Sequence, residues 1–236
     1  MTTLLTAEWT QLVVATFETD ADVLRRYLPC KTELDDWNGK YYLSVLGFLF
    51  SNPVIAGIRS PIFKRFEEIN LRFYVRYKHS SGWRKGVVFI REISPSPLIG
   101  LAAKCLYREN FTSLPLKHTI VRTADGQSTN YYWKVNGEWN FLKLHSRLQS
   151  SDPPEGSLEA YVRDRTWGYT RNGANRTKEF CIEHPEWKIY PGISFDMNID
   201  VEALYGEEFA ETLHRQPVSS FLMDGSRTKV SSSVLL

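Results

Sequence analysis

Three groups of charged and aromatic side chains in this 236-residue chain have spacings that serve ligand recognition or acid-base chemistry. The run Phe66-Glu-Glu-Ile-Asn-Leu-Arg-Phe-Tyr-Val-Arg-Tyr77 carries Glu68 and Arg72, and the run from Trp83 to Ile93 carries Arg91 and Glu92. The segment Tyr107 to His118 gathers Arg108, Glu109, Lys117 and His118 at a helix-to-strand junction, where sites are commonly built. Trp167-Gly-Tyr-Thr-Arg171 offers two aromatic faces, Trp167 and Tyr169, with a guanidinium beside them for stacking on a ligand. Carboxylates facing guanidinium groups suit a small polar or acidic ligand, because arginine grips a carboxylate through two parallel hydrogen bonds. For each group the plainer alternative is charges solvated on an exposed face and rings packed in a core.

Strands must position these groups. Leu71, Phe73, Val75 and Tyr77 point one way and Asn70, Arg72, Tyr74 and Arg76 the other, since strand side chains alternate. A turn at His79-Ser-Ser-Gly82 joins this strand to a second one. There Val87, Val88, Phe89 and Ile90 form an unbroken apolar run, which predicts a central strand covered on both faces. Upstream, Gln11–Phe17 and Lys40–Phe50 read as strands, with a short helix over Ala21–Tyr27 capped by Asp20. Residues 51–64 hold two prolines and a glycine without a clear period, and are expected to loop over the mouth of a barrel. Ser96-Pro97 opens a helix.

Downstream, His118–Arg122, Ser128–Val135 and Glu138–His145 form a meander through turns at Asp125-Gly126 and Asn136-Gly137. A helix over Leu158–Arg163 comes next, then a strand pair around Asn172-Gly173 and a strand from Trp187 to Ile199 broken near Pro191-Gly192. A helix after Asp200 and a closing strand from Ser219 to Val230 complete the reading. The expected fold is mainly β: one domain over residues 1–236, a curved antiparallel sheet closed into a cone or barrel, with about four short flanking helices.

Composition narrows the function classes. The 29 basic residues nearly balance 27 acidic ones, with no basic block for nucleic acid. No apolar run approaches a membrane span and the N-terminus lacks a signal pattern, which predicts a cytoplasmic protein. Cys30, Cys105 and Cys181 have no metal or disulfide spacing and read as buried free thiols. The five histidines form no metal motif, and GxSxG, GxxxxGK[ST] and strand-following GxGxxG are missing, so neither metal nor cofactor is expected.

The strings FEEINLRFYVR, WRKGVVFIREI, WGYTR, EHPEWKIYP and LYGEEFA, with TAEW near the start and FLMDGS near the end, resemble the YqjF-like family of uncharacterised bacterial proteins. That family is similar in fold to acetoacetate decarboxylase, which holds a small-molecule site inside a β-cone. The resemblance implies that Glu68 matches a strand glutamate, Arg108-Glu109 an Arg-Glu pair, and Pro115-Leu116-Lys117 a Pro-Lys-Lys whose first lysine forms an imine with a keto acid. Here Leu116 stands at that lysine's place, and the segment between Glu109 and Pro115 is one residue longer than in the decarboxylases. An imine needs a neutral amine, obtained by desolvation or by a second cation alongside; with Leu116 present the paired-lysine device is gone.

The leading expectation is therefore a small-molecule pocket lined by Glu68, Arg72, Arg91, Arg108, Glu109 and Lys117, with Trp167 and Tyr169 as walls. Two alternatives stay open. One is a decarboxylase- or aldolase-like enzyme using Lys117 with Glu68 or Glu109 as proton-transfer partner; the other is a structural or partner-binding protein with a filled core.

Overall fold

The computed structural model describes residues 1–60, 63–107 and 110–236, and of 102–106 the main chain alone. Long strands rich in β-branched and aromatic residues dominate it: β1 (Thr3–Thr19), β3 (Tyr41–Ile55), β5 (Arg65–His79) and β6 (Gly82–Ser94), with the short β2 (Thr32–Leu34) and β4 (Ile58–Arg59) at the side. The helix α1 (Ala21–Arg25) starts where the Asp20 carboxylate accepts the Asp22 N–H at 2.9 Å. Further along are α2 (Pro97–Tyr107), β7 (Phe111–Ser113), the meander β8 (Leu116–Arg122), β9 (Gln127–Val135) and β10 (Glu138–Ser146), and α3 (Leu158–Arg163). The chain ends with β11 (Trp167–Arg171), β12 (Thr177–Glu183), β13 (Ile189–Asn198), α4 (Val201–Leu204), α5 (Ala210–Leu213), β14 (Ser219–Ser231) and β15 (Val234–Leu235).

Seven strands close into a ring in the order β14, β1, β3, β5, β6, β11, β12, and β12 returns to β14 through the pairs Ile182 with Val230 and Glu183 with Lys229. Every pairing within the ring is antiparallel except β11 with β6. From β14 the sheet runs on through β13, β10, β9 and β8. The tight turn in the meander is the expected one, Asn136 and Gly137 having φ of 49° and 92°.

Alternation sorts each ring strand into two faces. Ile69, Leu71, Phe73 and Val75 of β5 pack with Trp133, Leu142 and Leu144 of the meander in one core. Phe66 and Tyr74 of β5 belong to a second core inside the ring, with Leu46, Phe48 and Phe50 of β3. Two irregularities change which residues face inward. Between Thr10 and Val13 the register of β1 against β3 slips by one, and Gln11 takes φ 57°, so Trp9 and Leu12 both face the interior. In β6 the register against β5 slips between Leu71 and Arg72, leaving Ile90 as the extra residue.

The boundaries differ from the sequence reading mainly in length. β1 continues past Gln11–Phe17 in both directions, from Thr3 to Thr19, because it pairs with β14 on one side and β3 on the other along nearly that whole length. The expected loop 51–64 begins as strand, β3 running to Ile55 and turning through Ala56-Gly57 into β4. Helices are five α segments and one 3₁₀ turn among the described residues, against about four expected, since Gly206 (φ 108°) splits the segment after Asp200. Cys30 and Cys181 are free thiols, half-buried where full burial was expected.

Candidate functional site

Inside the ring lies a cavity of about 380 Å³. Its depth can be followed along the β3–β5 register: Phe50 lies opposite Phe66, then Phe48 opposite Glu68, Leu46 opposite Asn70, and Ser44 opposite Arg72. The Phe50–Phe66 level is near the mouth, where Ile55, Ile58 and Ser60 of the β3–β4 hairpin and Leu98 of α2 also contribute. The rings of Phe50 and Phe66 stack there with centroids 4.8 Å apart. Beyond Arg72 the floor is sealed by Tyr74 and by the segment at the end of α3.

That segment explains why charged groups lie so deep. Ser157 caps α3 by accepting the Ala160 N–H at 3.2 Å, and the helix then delivers Arg163 and Arg165 inward. Arg165 Nη1 meets Asp35 Oδ2 at 2.5 Å, its Nε donates to the Tyr161 carbonyl at 2.7 Å, and its guanidinium lies 3.8 Å from the Tyr161 ring centroid. Arg163 Nη1 donates to the Trp187 carbonyl at 3.2 Å and its Nε to Asp164 at 2.6 Å. Arg72 Nη2 donates to the Val162 carbonyl at 3.3 Å, and burial pushes its pKa below the usual arginine value.

Several polar atoms here have no hydrogen-bond partner in the protein: Asn70 Oδ1, Arg72 Nε and Arg165 Nη2, with Trp9 Nε1 nearer the mouth. Asn70 and Arg165 are each only 3% exposed. A buried donor or acceptor without a partner costs about 1–3 kcal/mol; Arg91 Nε, Trp133 Nε1 and the Tyr205 hydroxyl, away from the cavity wall, are likewise without one.

Of the residues singled out in the sequence, Glu68 and Arg72 line this cavity. Arg91 does not: the Ile90 bulge turns it to the opposite face, where its Nη1 donates to Thr112 Oγ1 at 2.7 Å, and Glu92 takes the inward position. Trp167 and Tyr169 also face away, because Gly168 holds the inward position of β11 and Phe180 fills the space in front of it. Arg84 covers the Trp167 ring at 4.1 Å, and the buried Tyr169 hydroxyl donates to Glu179 at 3.0 Å. Lys117 is exposed on β8, 4.0 Å from the Trp139 ring, while Leu116 packs on the meander-side core. Arg108 and Glu109 lie outside the described residues.

Sequence reasoning missed Arg163, Arg165 and His184, all of which line the cavity. His184 stacks on Trp187 with ring centroids 3.7 Å apart, and burial holds its pKa below the ordinary 6.5. Between 6.5 and that lower value the unfolded chain binds a proton that the folded chain does not, so stability falls as pH drops through the window. His184→Phe is expected to show a smaller loss of Tm than the parent between about pH 7 and about pH 5, measured by thermal unfolding at matched ionic strength. An equal loss would mean that His184 does not titrate differently on folding.

Among the described residues no group of three His, Cys, Asp or Glu side chains is placed to hold a metal ion. No helix is long and apolar enough to cross a membrane, again among the described residues.

A closed ring of mostly antiparallel strands around a cavity, continued into a second sheet, is the fold of the acetoacetate decarboxylase-like proteins. Legionella pneumophila acetoacetate decarboxylase superposes with a TM-score of 0.71 at 12% identity, covering 100% of this chain and 88% of that one. The enduracididine biosynthesis enzyme MppR, complexed with pyruvate, gives 0.70 at 14% identity over 100% and 91%. An acetoacetate decarboxylase-like enzyme from Sphingomonas wittichii RW1 gives 0.68 at 14% over 100% and 94%. At the level of sequence, the uncharacterized protein YqjF of Bacillus subtilis (strain 168) is 35% identical over 192 residues, 77% of this chain and 73% of its own length. The profile of DUF2071, described as an uncharacterized conserved protein, matches residues 6–226. The chain belongs to the DUF2071 family, to which the YqjF-like resemblance pointed.

Proposed function

We propose that this protein binds a small acidic molecule in the cavity of the ring, without a lysine imine. The carrying observation is the set of unpartnered buried groups at its deep end, Arg72 Nε and Arg165 Nη2 with Asn70 Oδ1. A carboxylate supplies acceptors to the two guanidinium groups, and a rotation of the Asn70 amide presents its N–H to the same guest. The described wall contains no lysine, and Lys117 stands outside the cavity over Trp139. Two fold relatives favour an acidic guest by their names, one being a decarboxylase of acetoacetate and the other a complex with pyruvate.

The test is thermal shift with acetoacetate, pyruvate and a panel of larger carboxylates on the full chain. A guest at a hundred times its Kd adds about 2.7 kcal/mol of stability, a readily measured rise in Tm. Arg72→Gln is expected to weaken binding by about tenfold to a hundredfold, the loss of one hydrogen-bonded charge. Borohydride treatment in the presence of the bound acid is expected to leave the protein mass unchanged. A panel in which no carboxylate raises Tm, or an Arg72→Gln variant that binds as well as the parent, would sink the proposal.

A further inference from the structure

We propose, resting on the acidic-guest reading above, that the guest is an amphipathic monocarboxylate with an unbranched or aryl-alkyl chain of about ten to twelve carbons. Its head lies against Arg72 and Arg165, and its chain runs along the aromatic wall to the mouth. The size of the cavity gives the length. An apolar cavity of about 150 Å³ holds benzene, six non-hydrogen atoms, so about 380 Å³ at the same packing holds about fifteen. Pyruvate, with six non-hydrogen atoms, leaves more than half of this space without a partner. Phe48, Phe50, Phe66 and Phe89 offer the apolar stretch of such a vacancy little for water to bond to, although Glu68 and Glu92 also line it on β5 and β6.

The direction of the chain follows from the order of groups along the strands. The unpartnered Arg72 Nε is at the Ser44–Arg72 level, two inward-facing positions beyond Phe48 and Glu68, and the Arg165 guanidinium lies 5.0 Å from the Tyr74 ring centroid, beyond it. From there to the mouth the inward positions of β1 and β3 are Leu46, Leu12, Phe48, Trp9 and Phe50. The rim itself is apolar: Ile58 is 73% exposed and Leu98 58% exposed, and both line the cavity. A short polar acid makes no use of such a rim, whereas the end of a chain reaching it removes Ile58 and Leu98 from water. Among the described residues Arg59 is a cation at the mouth, but it is exposed and solvated, which makes it a weak anchor.

The experiment titrates the purified full chain, stripped of apolar contaminants, with butanoate, hexanoate, octanoate, decanoate and dodecanoate below their micelle concentrations, and with 1-decanol and pyruvate. Affinity is expected to rise about fourfold per added CH₂ up to decanoate and to level off by dodecanoate. 1-Decanol is expected to bind at least about tenfold more weakly than decanoate, since it cannot pair with a guanidinium. Ile55→Trp, at the half-buried rim, is expected to move the plateau to shorter chains, and Arg72→Gln to weaken every acid by a similar factor without changing the slope.

The two readings fail differently. If pyruvate or butanoate binds as tightly as decanoate, the chain-length inference is overturned while the acidic-guest reading stands. If no carboxylate of any length binds, both fall. Equal affinity for decanoate and 1-decanol would overturn the placement of the head, and with it the inference.

Discussion

Arg165→Met is expected to lower the unfolding free energy by about 3–5 kcal/mol, the usual cost of removing one partner of a buried ion pair. Arg165 and Asp35 meet at 2.5 Å with side chains 2% and 5% exposed, so neither charge has water to fall back on. The same guanidinium lies over Tyr161 and beside Tyr74, and Tyr161 donates from its hydroxyl to the Asp35 carbonyl at 2.7 Å. Removing Arg165 therefore strands a buried carboxylate and loosens the floor of the cavity together. Arg76, 3.9 Å from the other Asp35 oxygen, is a third exposed and compensates only weakly. Urea unfolding monitored by tryptophan fluorescence should show a lower midpoint at an unchanged m value. The double variant Asp35→Leu/Arg165→Met is expected to recover most of the loss, because it removes the stranded charge. A single-variant loss under about 1 kcal/mol would mean that Asp35 finds water or takes a proton at little cost.

Gly225→Ala carries the second large effect, about 2–6 kcal/mol, from two sources that add. Gly225 has φ +79°, where a residue with a Cβ is strained by about 1–3 kcal/mol. Its Cβ would also lie 2.0 Å from the Trp9 carbonyl oxygen and 2.7 Å from Leu12 Cδ1, a clash with backbone on one side and overpacking worth about 1–3 kcal/mol on the other. Gly57→Ala is the control, since its φ of +82° brings the strain but nothing lies within 4 Å of the added methyl. Chemical denaturation should separate the two, with Gly225→Ala the more destabilised by more than about 1 kcal/mol. Equal losses would show that strand β14 shifts to make room.

The sequence revealed the strands and one face of the site far better than the membership of the site. The period-two pattern of β5 placed Arg72 and Asn70 opposite Leu71 and Phe73, and the structure keeps that sorting because nothing interrupts the register of β5 on β3. In β6 the apolar run shows no alternation, and Arg91, singled out as a charge flanking that run, lies on the face away from the cavity. A bulge is a property of two strands and not of one, so the extra residue at Ile90 leaves no local mark beyond the unbroken apolar run. Trp167 and Tyr169, singled out as an aromatic pair beside an arginine, lie off the cavity because Gly168 between them holds the inward position of β11. Arg163 and Arg165 look like solvated charges at a helix end, and only the docking of α3 beside Tyr74 and Trp187 buries them. The similarity to a decarboxylase motif at 115–117 led to Lys117, but β8 belongs to the second sheet and its polar face meets solvent.

The ring has two thin seams, one on each side of the β11–β12 pair. Most neighbouring strands in it share long registers, but β6 and β11 meet through two residue pairs, as do β12 and β14, and Val87, Ile182 and Val230 of these pairs are also wall residues of the cavity. Proteins open locally at free energies well below global unfolding, first where backbone pairing is shortest. The β11–β12 pair is therefore the side of the wall where opening is expected to cost least, while β14, β1, β3, β5 and β6 keep their long ladders.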